Sequence, residues 1–159
     1  MVESRSPQDG LQPLDSLIVD VLTDNVSDDY VSKTMFAVSE FANVLLGGAT
    51  VLSGETLLSA NLGFGLRLRS TLGNARHAML FDTGPEGTTF LRNCANLGIG
   101  LGNIEAIAIT HGHWDHMGAL LAALDAIAKG GSRPTVHVNP GMFNERAAPR
   151  VSVSSMPKP

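Results

Sequence analysis

The sequence has very little cysteine, few aromatic residues and no excess of basic charge. Cys94 is the one cysteine among 159 residues, which excludes an intramolecular disulfide framework and a cysteine-rich zinc site. Aromatic residues make up 5% of the chain, and the formal net charge is −4. Nucleic-acid binding needs clustered Lys and Arg and is helped by aromatic stacking. We therefore predict no nucleic-acid partner.

Long hydrophobic runs are also missing. The most apolar long window, residues 35–52, is interrupted by polar residues and by the pair Gly47-Gly48, so it is a poor membrane span. The N-terminal residues show no basic stretch followed by an apolar one. We predict no membrane partner and, with a single cysteine, a reducing cytoplasmic location.

What is present is enough apolar sequence for a folded core. Hydrophobic residues make up 43% of the chain, and this length corresponds to one domain or a piece of one. We predict a flexible leader at residues 1–16, a domain at 17–146 and a tail at 147–159. The hydrophobic core belongs to the middle segment.

Alternating and helical apolar patterns predict an α/β fold. Residues 31–46 favour a helix, which nearby glycines interrupt. A hairpin connection at 72–74 joins the second and third strands. This order predicts a sheet with both antiparallel and parallel connections, covered by helices. The predicted strands are 17–23, 63–70, 77–83, 104–109 and 135–138, and the remaining predicted helices are 88–97 and 117–129.

One segment concentrates side chains that bind metals. Four of its residues, His111, His113, Asp115 and His116, fall within six positions of a loop between a predicted strand and a predicted helix. A loop can aim several imidazoles and a carboxylate at one centre, and this donor set suits zinc. The alternative is four exposed polar residues without a metal.

The pattern H-x-H-x-D-H after a strand resembles the signature of the metallo-β-lactamase-fold superfamily. Residues 17–146 further resemble its dihydropterin-phosphate-synthase-like branch. The stretches that carry the branch resemblance are LTDN (22–25), LGFGL (62–66), LFDTGPEG (80–87), FLRN (90–93), LGI (97–99) and HGHWDHMGAL (111–120).

The resemblance implies a role for each motif residue. His111 and His113 would bind a first metal ion, and Asp115 and His116 a second, with Asp115 also counted as catalytic. A water bound between the ions would be the nucleophile. Asp82 would hold the histidine loop by hydrogen bonds. Zinc is favoured for both ions, with Mn²⁺ or Fe²⁺ as alternatives, and the substrate would be a small molecule, phosphate-like or pterin-like.

The chain also departs from the family pattern. Asn61-Leu62 stand where the branch often has Glu-His, which removes one histidine contact. The family fold is an αββα sandwich of two similar halves, and its remaining ligands come from the second half. Asp125 and His137 are the later candidates here, and we expect neither to bind the metal. We therefore predict one half of the sandwich, to be completed by a homodimer or by a missing C-terminal half.

Two other functions compete with a metal-dependent hydrolase that is weakly active alone. A non-catalytic fragment that binds metal weakly would also explain the short ligand set. The sequence Leu80-Phe81-Asp82-Thr83-Gly84 matches the signature of dimeric aspartic proteases, in which two aspartates share a proton. That function leaves the histidines unexplained.

Several further residues admit two interpretations. Asp24 and Asn25 either border the site or form an ordinary turn. Trp114 either lines a substrate pocket or packs against the sheet edge.

Four polar or reactive residues away from the motif favour a structural interpretation. Arg67 and Arg69 alternate on a strand, which favours a solvent-exposed face. Asn93 favours a solvated helix position, although it could also bond a nearby loop. The remaining such position is Cys94, whose place on an apolar helix face predicts a buried, inert thiol.

Overall fold

The computed structural model describes residues 12–26 and 35–144. These residues form a mixed sheet with helices, which confirms the predicted α/β class. Every helix in these two ranges is too short or too polar to cross a bilayer. The strands are β1 (Ser16–Thr23), β2 (Gly65–Leu72), β3 (Ala75–Phe81), β4 (Ala106–Ala108) and β5 (Thr135–His137); the helices are α1 (Glu40–Leu46), α2 (Gly87–Asn96), α3 (Trp114–Met117) and α4 (Leu120–Lys129).

The five strands lie in the order in which the chain forms them, β1-β2-β3-β4-β5. β1, β2 and β3 are antiparallel, whereas β3, β4 and β5 are parallel. The hairpin between β2 and β3 turns at Gly73, whose φ of 58° suits a residue without a side chain. The parallel strands are joined through α2 and through α3 and α4, as parallel connections require.

The core lies between the sheet and the pair α2 and α4. Leu80 and Ile107 face each other in the register of β3 and β4, and both are fully buried. Phe90 of α2 and Ile127 of α4 are fully buried against this face. Glu86 caps α2, since its carboxylate accepts hydrogen bonds from the backbone amides of the first turn.

The opposite face of the sheet is apolar and largely uncovered by the described residues. Side chains alternate along a strand, so Leu17, Val19 and Val21 point away from the α2–α4 side. All three are about half exposed. No residue of this face belongs to the buried core cluster of the described chain.

The predicted helix 117–129 is interrupted, because the chain turns to reach the end of β3. The backbone amide of Ala119 donates to Gly84 O at 3.1 Å, and Gly84 also forms an isolated β-bridge with Met117. At Gly118 an added Cβ would come within 1.8 Å of Pro85 O, so only glycine fits. The result is two short helices, and the first of them carries Asp115.

Other boundaries shift by smaller amounts. The helix favoured over 31–46 is helical only from Glu40, and residues 31–34 lie outside the described residues. The strand predicted from Gly63 begins at Gly65, because Gly63 has φ 149° and packs in a loop. Ser16, assigned to the leader, begins β1. The remaining leader up to residue 11 and the tail 147–159 are outside the described residues.

Arg67 corrects the prediction of a solvent-exposed strand face. It stands opposite Asp20 and Leu80 in the sheet, on the side that packs against the helices. Its guanidinium Nε donates to Asp20 Oδ2 at 2.8 Å, and Arg69 bonds the same carboxylate. These two arginines hold the pKa of Asp20 below its ordinary value, although burial of the carboxyl opposes the shift as the largest single cause.

Asn93 is buried rather than solvated. Its side-chain amide donates to Leu22 O at 2.8 Å and to Ser59 O at 3.0 Å, and its carbonyl accepts from the Ser59 amide at 2.8 Å. The second interpretation of this residue, a bond to a nearby loop, is therefore correct. Asn93 ties the end of β1 to the loop that precedes β2.

Candidate metal centre

Two neighbouring parallel strands bring Asp82 beside the histidine loop. Asp82 directly follows β3, and its backbone amide donates to Ala108 O of β4 at 2.9 Å. The residue has φ 55°, in the left-handed region that Asp and Asn tolerate better than most residues. Its side chain is fully buried. The carboxylate therefore lies beneath the loop that begins at Thr110.

Three hydrogen bonds fix this buried carboxylate. The backbone amide of Thr110 donates to Oδ1 at 2.8 Å, and the Thr110 hydroxyl donates to Oδ2 at 2.8 Å. Nδ1 of His116 lies 2.8 Å from the same Oδ2. Asp82 thus forms hydrogen bonds with both Thr110 and His116, which lie at the two ends of the motif. These bonds occupy both carboxylate oxygens, so the geometry offers no support for a solvent-facing aspartic protease dyad.

The acceptor-only carboxylate determines which imidazole nitrogens carry protons. Because Asp82 Oδ2 can only accept, Nδ1 of His116 carries the proton. The Thr110 hydroxyl uses its single proton on Asp82, so it accepts from Nδ1 of His111 at 3.0 Å. These tautomers are assigned from the hydrogen-bond network. Nε2 of both His111 and His116 is then left with a lone pair, the form that binds metals.

The atoms that could bind a metal lie in two pairs. His111 Nε2, which carries a lone pair, accepts a hydrogen bond from His113 Nδ1 at 3.1 Å, and His116 Nε2 and Asp115 Oδ2 are 3.5 Å apart. His113 would have to move its proton from Nδ1 to Nε2 to bind a metal through Nδ1. Two donors about 2.0–2.1 Å from one tetrahedral zinc ion are about 3.4 Å from each other. Each pair therefore fits two positions of a tetrahedral site.

The number of donors is smaller than a complete site needs. Within the part of the chain that the structure describes, no three His, Cys, Asp or Glu side chains form a group that could hold a metal ion. A catalytic zinc ion ordinarily has three protein ligands. The chemistry and spacing of the pairs fit a metal, but the pairs are incomplete.

Backbone contacts hold the helix that carries Asp115 and His116. The Thr83 amide donates to His116 O at 2.8 Å, and the Phe64 amide donates to Asp115 O at 3.1 Å. At Gly112, between the first two histidines, an added Cβ would come within 2.1 Å of Met142 O. The loop is therefore packed closely on both sides.

Sequence reasoning missed Thr110 and Asn139. Thr110 joins Asp82 to His111, and the Asn139 amide donates to Thr110 O at 2.7 Å. The available signal for Thr110 was a hydroxyl residue at a strand end, directly before the first histidine. Nothing in the sequence alone marks Asn139, because it comes from the distant end of β5.

Asp24 and Asn25 form turn contacts. Asp24 Oδ1 accepts from the Asn25 amide at 2.7 Å, and Asp24 O accepts from the Asn61 amide at 3.0 Å. Asp24 also borders a cleft of about 780 Å³ beside β1 and α1, which contains none of the four metal-ligand candidates. No hydrogen bond among the described residues joins Asp24 or Asn25 to the histidine loop.

Trp114 is 61% exposed, so most of its surface faces solvent and not the sheet edge. Asp125 lies on α4 and His137 on β5, and both are exposed. Neither side chain forms a hydrogen bond or ion pair with the loop in the described structure. They add no ligand to the two donor pairs.

Comparison with known proteins agrees with the motif and with the mixed sheet. No curated protein matches the chain. The sequence model of the metallo-beta-lactamase superfamily matches residues 70–150, which are just over half of the chain. This range includes Asp82 and the whole histidine loop. The chain therefore belongs to the metallo-beta-lactamase superfamily.

Proposed function

We propose that this protein is a metal-dependent hydrolase whose loop 111–116 supplies part of a two-metal site. His111 Nε2 and His113 Nδ1 would hold one ion, and His116 Nε2 and Asp115 would hold the other. The observation that carries the proposal is the pairing of these donors at 3.1 Å and 3.5 Å, with protons directed away from both Nε2 atoms. Superfamily membership supports the same reaction class.

A bound divalent ion would supply a hydroxide nucleophile near neutral pH by lowering the pKa of a bound water. The chain's own contribution is to orient the donors. Asp82 and Thr110 keep His111 and His116 in the tautomers that leave Nε2 free. Such outer hydrogen bonds commonly determine metal affinity. Zinc suits the imidazole-rich set, and Mn²⁺ or Fe²⁺ remain alternatives.

The ligand count requires further donors from outside the described residues. We propose that a second copy of the chain or a further segment supplies them, as in an αββα sandwich of which this chain forms one half. The apolar, half-exposed residues Leu17, Val19 and Val21 support a covered face in the complete assembly. We further propose that the chain belongs to the dihydropterin-phosphate-synthase-like branch, that its substrate is a small phosphate-like or pterin-like molecule, and that it acts in the cytoplasm.

Metal content tests the proposal directly. Purified protein is loaded with zinc, washed free of loosely bound ions and measured by plasma mass spectrometry. The double variant His111→Ala/His113→Ala should lose the stoichiometric zinc. The matched control is His77→Ala, because His77 is an exposed histidine on β3 that pairs with Glu105. Equal zinc in the double variant and the parent contradicts the proposal.

A second function is favoured by the incomplete donor set. With no group of three ligands among the described residues, the chain alone would bind metal without turning over substrate. Hydrolysis of a chromogenic phosphodiester and of a chromogenic lactam separates the two functions. Metal-dependent turnover that is lost in His111→Ala/His113→Ala supports the hydrolase, whereas bound zinc without turnover supports the metal-binding protein.

A further inference from the structure

A cleft of about 780 Å³ runs along β1 and contains none of the four metal-ligand candidates. Its lining combines residues of β1 and β2 with residues of α1, of the C-terminal part of α2 and of the turn after α2. Cavities of this size are typical sites for small organic molecules. The cleft therefore has the dimensions of a ligand site that is separate from the candidate metal centre.

Backbone contacts fix the helical part of the lining. At Gly47, directly after α1, an added Cβ would lie 2.5 Å from the carbonyl oxygen of Asn96, the last residue of α2. At Gly98, whose φ is 64°, an added Cβ would lie 2.8 Å from Gly47 O. The C-terminal ends of α1 and α2 are therefore in backbone contact. Asn93 of α2 also bonds Leu22 O of β1, so the helices and the strand that line the cleft are held together.

Arg67 brings a buried charge with unused hydrogen-bond donors to this cleft. The residue is 9% exposed, and its Nε donates to Asp20 Oδ2 at 2.8 Å. A guanidinium group has five N–H donors, and the four on Nη1 and Nη2 form no hydrogen bond with any described residue. The fully buried side-chain atoms without a partner in the described chain are Thr23 Oγ1 and Arg92 Nε. The Nη atoms of Arg67 therefore reach the cleft that this residue lines.

The arginines leave this part of the cleft with an excess of positive charge. Arg69 binds both oxygens of the Asp20 carboxylate, with its Nε 3.0 Å from Oδ2 and its Nη2 3.1 Å from Oδ1. Arg67 and Arg69 thus share one carboxylate, and two positive charges with one negative charge leave a net charge of +1. A charge that is largely removed from water needs a partner of opposite sign. One further anionic group would neutralise these three side chains.

The acidic side chains of the lining favour an anion with a single charge. Asp24 and Glu40 also line the cleft, and they accept hydrogen bonds from the amides of Asn25 and Leu58. A phosphate monoester carries close to two negative charges above neutral pH, so it would exceed the available positive charge and be repelled by these carboxylates. A carboxylate matches the single charge. Its two oxygens also match the Nη1 and Nη2 donors of Arg67, which can form two parallel hydrogen bonds.

Apolar side chains extend the cleft beyond the arginines. Ile18 and Leu22 lie on either side of Asp20 on the same face of β1, and Ile18 pairs with Arg69 in the strand register. Both line the cleft, as does Phe36. Phe36 is 92% exposed, so the described residues leave its ring almost uncovered. Covering such apolar surface stabilises a complex, and the lining therefore suits a ligand with an apolar chain.

We infer that the cleft along β1 binds an organic monocarboxylate with an apolar chain. The carboxylate accepts hydrogen bonds from Nη1 and Nη2 of Arg67, and the chain lies against Ile18 and Phe36. This site goes beyond the proposed function, because it needs no metal and shares no lining residue with the histidine loop.

Isothermal titration calorimetry of the full, metal-free chain with octanoate above neutral pH tests this inference. Octanoate is ionised under these conditions. 1-Octanol keeps the chain without the charge, acetate keeps the charge without the chain, and octyl phosphate carries the same chain with a second charge. We expect saturable binding of octanoate. Each comparator should bind at least about 10-fold more weakly, the scale of losing a charge-assisted hydrogen bond or the burial of an apolar chain.

Two substitutions with matched controls test the two parts of the site. Arg67→Lys keeps the positive charge but loses the planar pair of donors, so the affinity for octanoate should fall about 10-fold. Arg76→Lys is its control, because Arg76 is an exposed arginine of β3 outside the cleft. Phe36→Ser should weaken octanoate binding about fivefold by removing apolar contact area. Met35→Ser should leave it unchanged, because Met35 is 90% exposed and lies outside the lining.

Absence of saturable octanoate binding, or unchanged affinity in both Arg67→Lys and Phe36→Ser, overturns the site. 1-Octanol that binds as tightly as octanoate overturns the role of Arg67, and acetate that does so overturns the role of the apolar chain. Tighter binding of octyl phosphate overturns the preference for a single charge. Circular dichroism verifies the fold of each variant; if Arg67→Lys does not fold, the almost wholly exposed Phe36 and the comparators still decide the test.

The zinc measurement on the parent separates this inference from the proposed function. Stoichiometric zinc without octanoate binding overturns the carboxylate site and leaves the metal site supported. Octanoate binding that is sensitive to the two cleft variants, without stoichiometric zinc, supports the carboxylate site and overturns the hydrolase.

Discussion

Replacing Asp82 by Asn removes one charge while keeping the shape and backbone of the buried residue. The position has φ 55°, a conformation that Asn adopts as readily as Asp. The amide oxygen can still accept from the Thr110 amide. The amide nitrogen, however, donates where Oδ2 accepted, toward the Thr110 hydroxyl and His116 Nδ1. The substitution therefore reverses the direction of two hydrogen bonds.

This reversal moves the protons onto the nitrogens that would face the metal. His116 Nδ1 has to accept, so its proton moves to Nε2. The Thr110 hydroxyl accepts from the new amide and donates to His111 Nδ1, so the His111 proton also moves to Nε2. Metal binding then has to break two hydrogen bonds worth about 1 kcal/mol each. About 2 kcal/mol corresponds to about 30-fold in affinity, within the range of about 10–100-fold for lost outer contacts of metal ligands.

The assay is a zinc titration of the parent and Asp82→Asn against a competing chromophoric chelator. Nitrogen-15 NMR of the imidazoles of the metal-free proteins reports the tautomers, a readout that a purely structural role of Asp82 would leave unchanged. Thermal unfolding verifies that the variant remains folded. Zinc affinity within about twofold of the parent, with both histidines still protonated on Nδ1, refutes the reasoning.

Three further predictions concern the rest of the fold. Asp20→Ala should lower the free energy of unfolding by about 3 kcal/mol, because it leaves the guanidinium of Arg67 buried without its partner. Arg69→Ala removes a side chain that is 41% exposed and should lower the same free energy, measured by urea unfolding, by less than about 1 kcal/mol. Equal losses in the two variants would contradict the assigned burial. Burial raises the pKa of the Cys94 thiol to about 12, so a thiol reagent at pH 8 should modify Cys94 only at the rate of unfolding; rapid modification of the folded protein would show that the thiol is accessible. Hydrogen bonds from the first turn of α2, of which those from Thr89 are the largest cause, lower the pKa of the Glu86 carboxyl from 4.5 to about 2. The stabilisation by the ionised carboxylate should therefore be complete above about pH 4.5 and lost as the pH falls to about 2. Glu86→Gln should flatten the dependence of unfolding free energy on pH between these values, and an unchanged dependence would exclude Glu86 as the cause.

The sequence by itself determined the order of the five strands along the chain, the presence of α2 and α4 and the identity of the metal-ligand candidates. These are local properties. Alternation of apolar residues reports a strand, and the spacing of Phe90 and Cys94 reports a helix face. The H-x-H-x-D-H pattern lies within six consecutive residues, of which the last three belong to α3, so its residue types and spacing are visible without any long-range contact.

The tertiary structure decided what depends on residues that are distant in the chain. Arg67 looks like a solvent-exposed residue until the register places Asp20 opposite it, on the helix-covered face. The helix break at Gly118 follows from the contact with Pro85. Neither contact can be read from local periodicity.

The protonation pattern of the site is also a tertiary property. It arises because parallel pairing of β3 and β4 brings Asp82 next to Thr110, 28 residues further along the chain. A buried carboxylate that can only accept hydrogen bonds then fixes the hydroxyl and both imidazoles in turn. The sequence supplied the donors, and the packing of two strand ends decided which of their nitrogens are free to bind a metal.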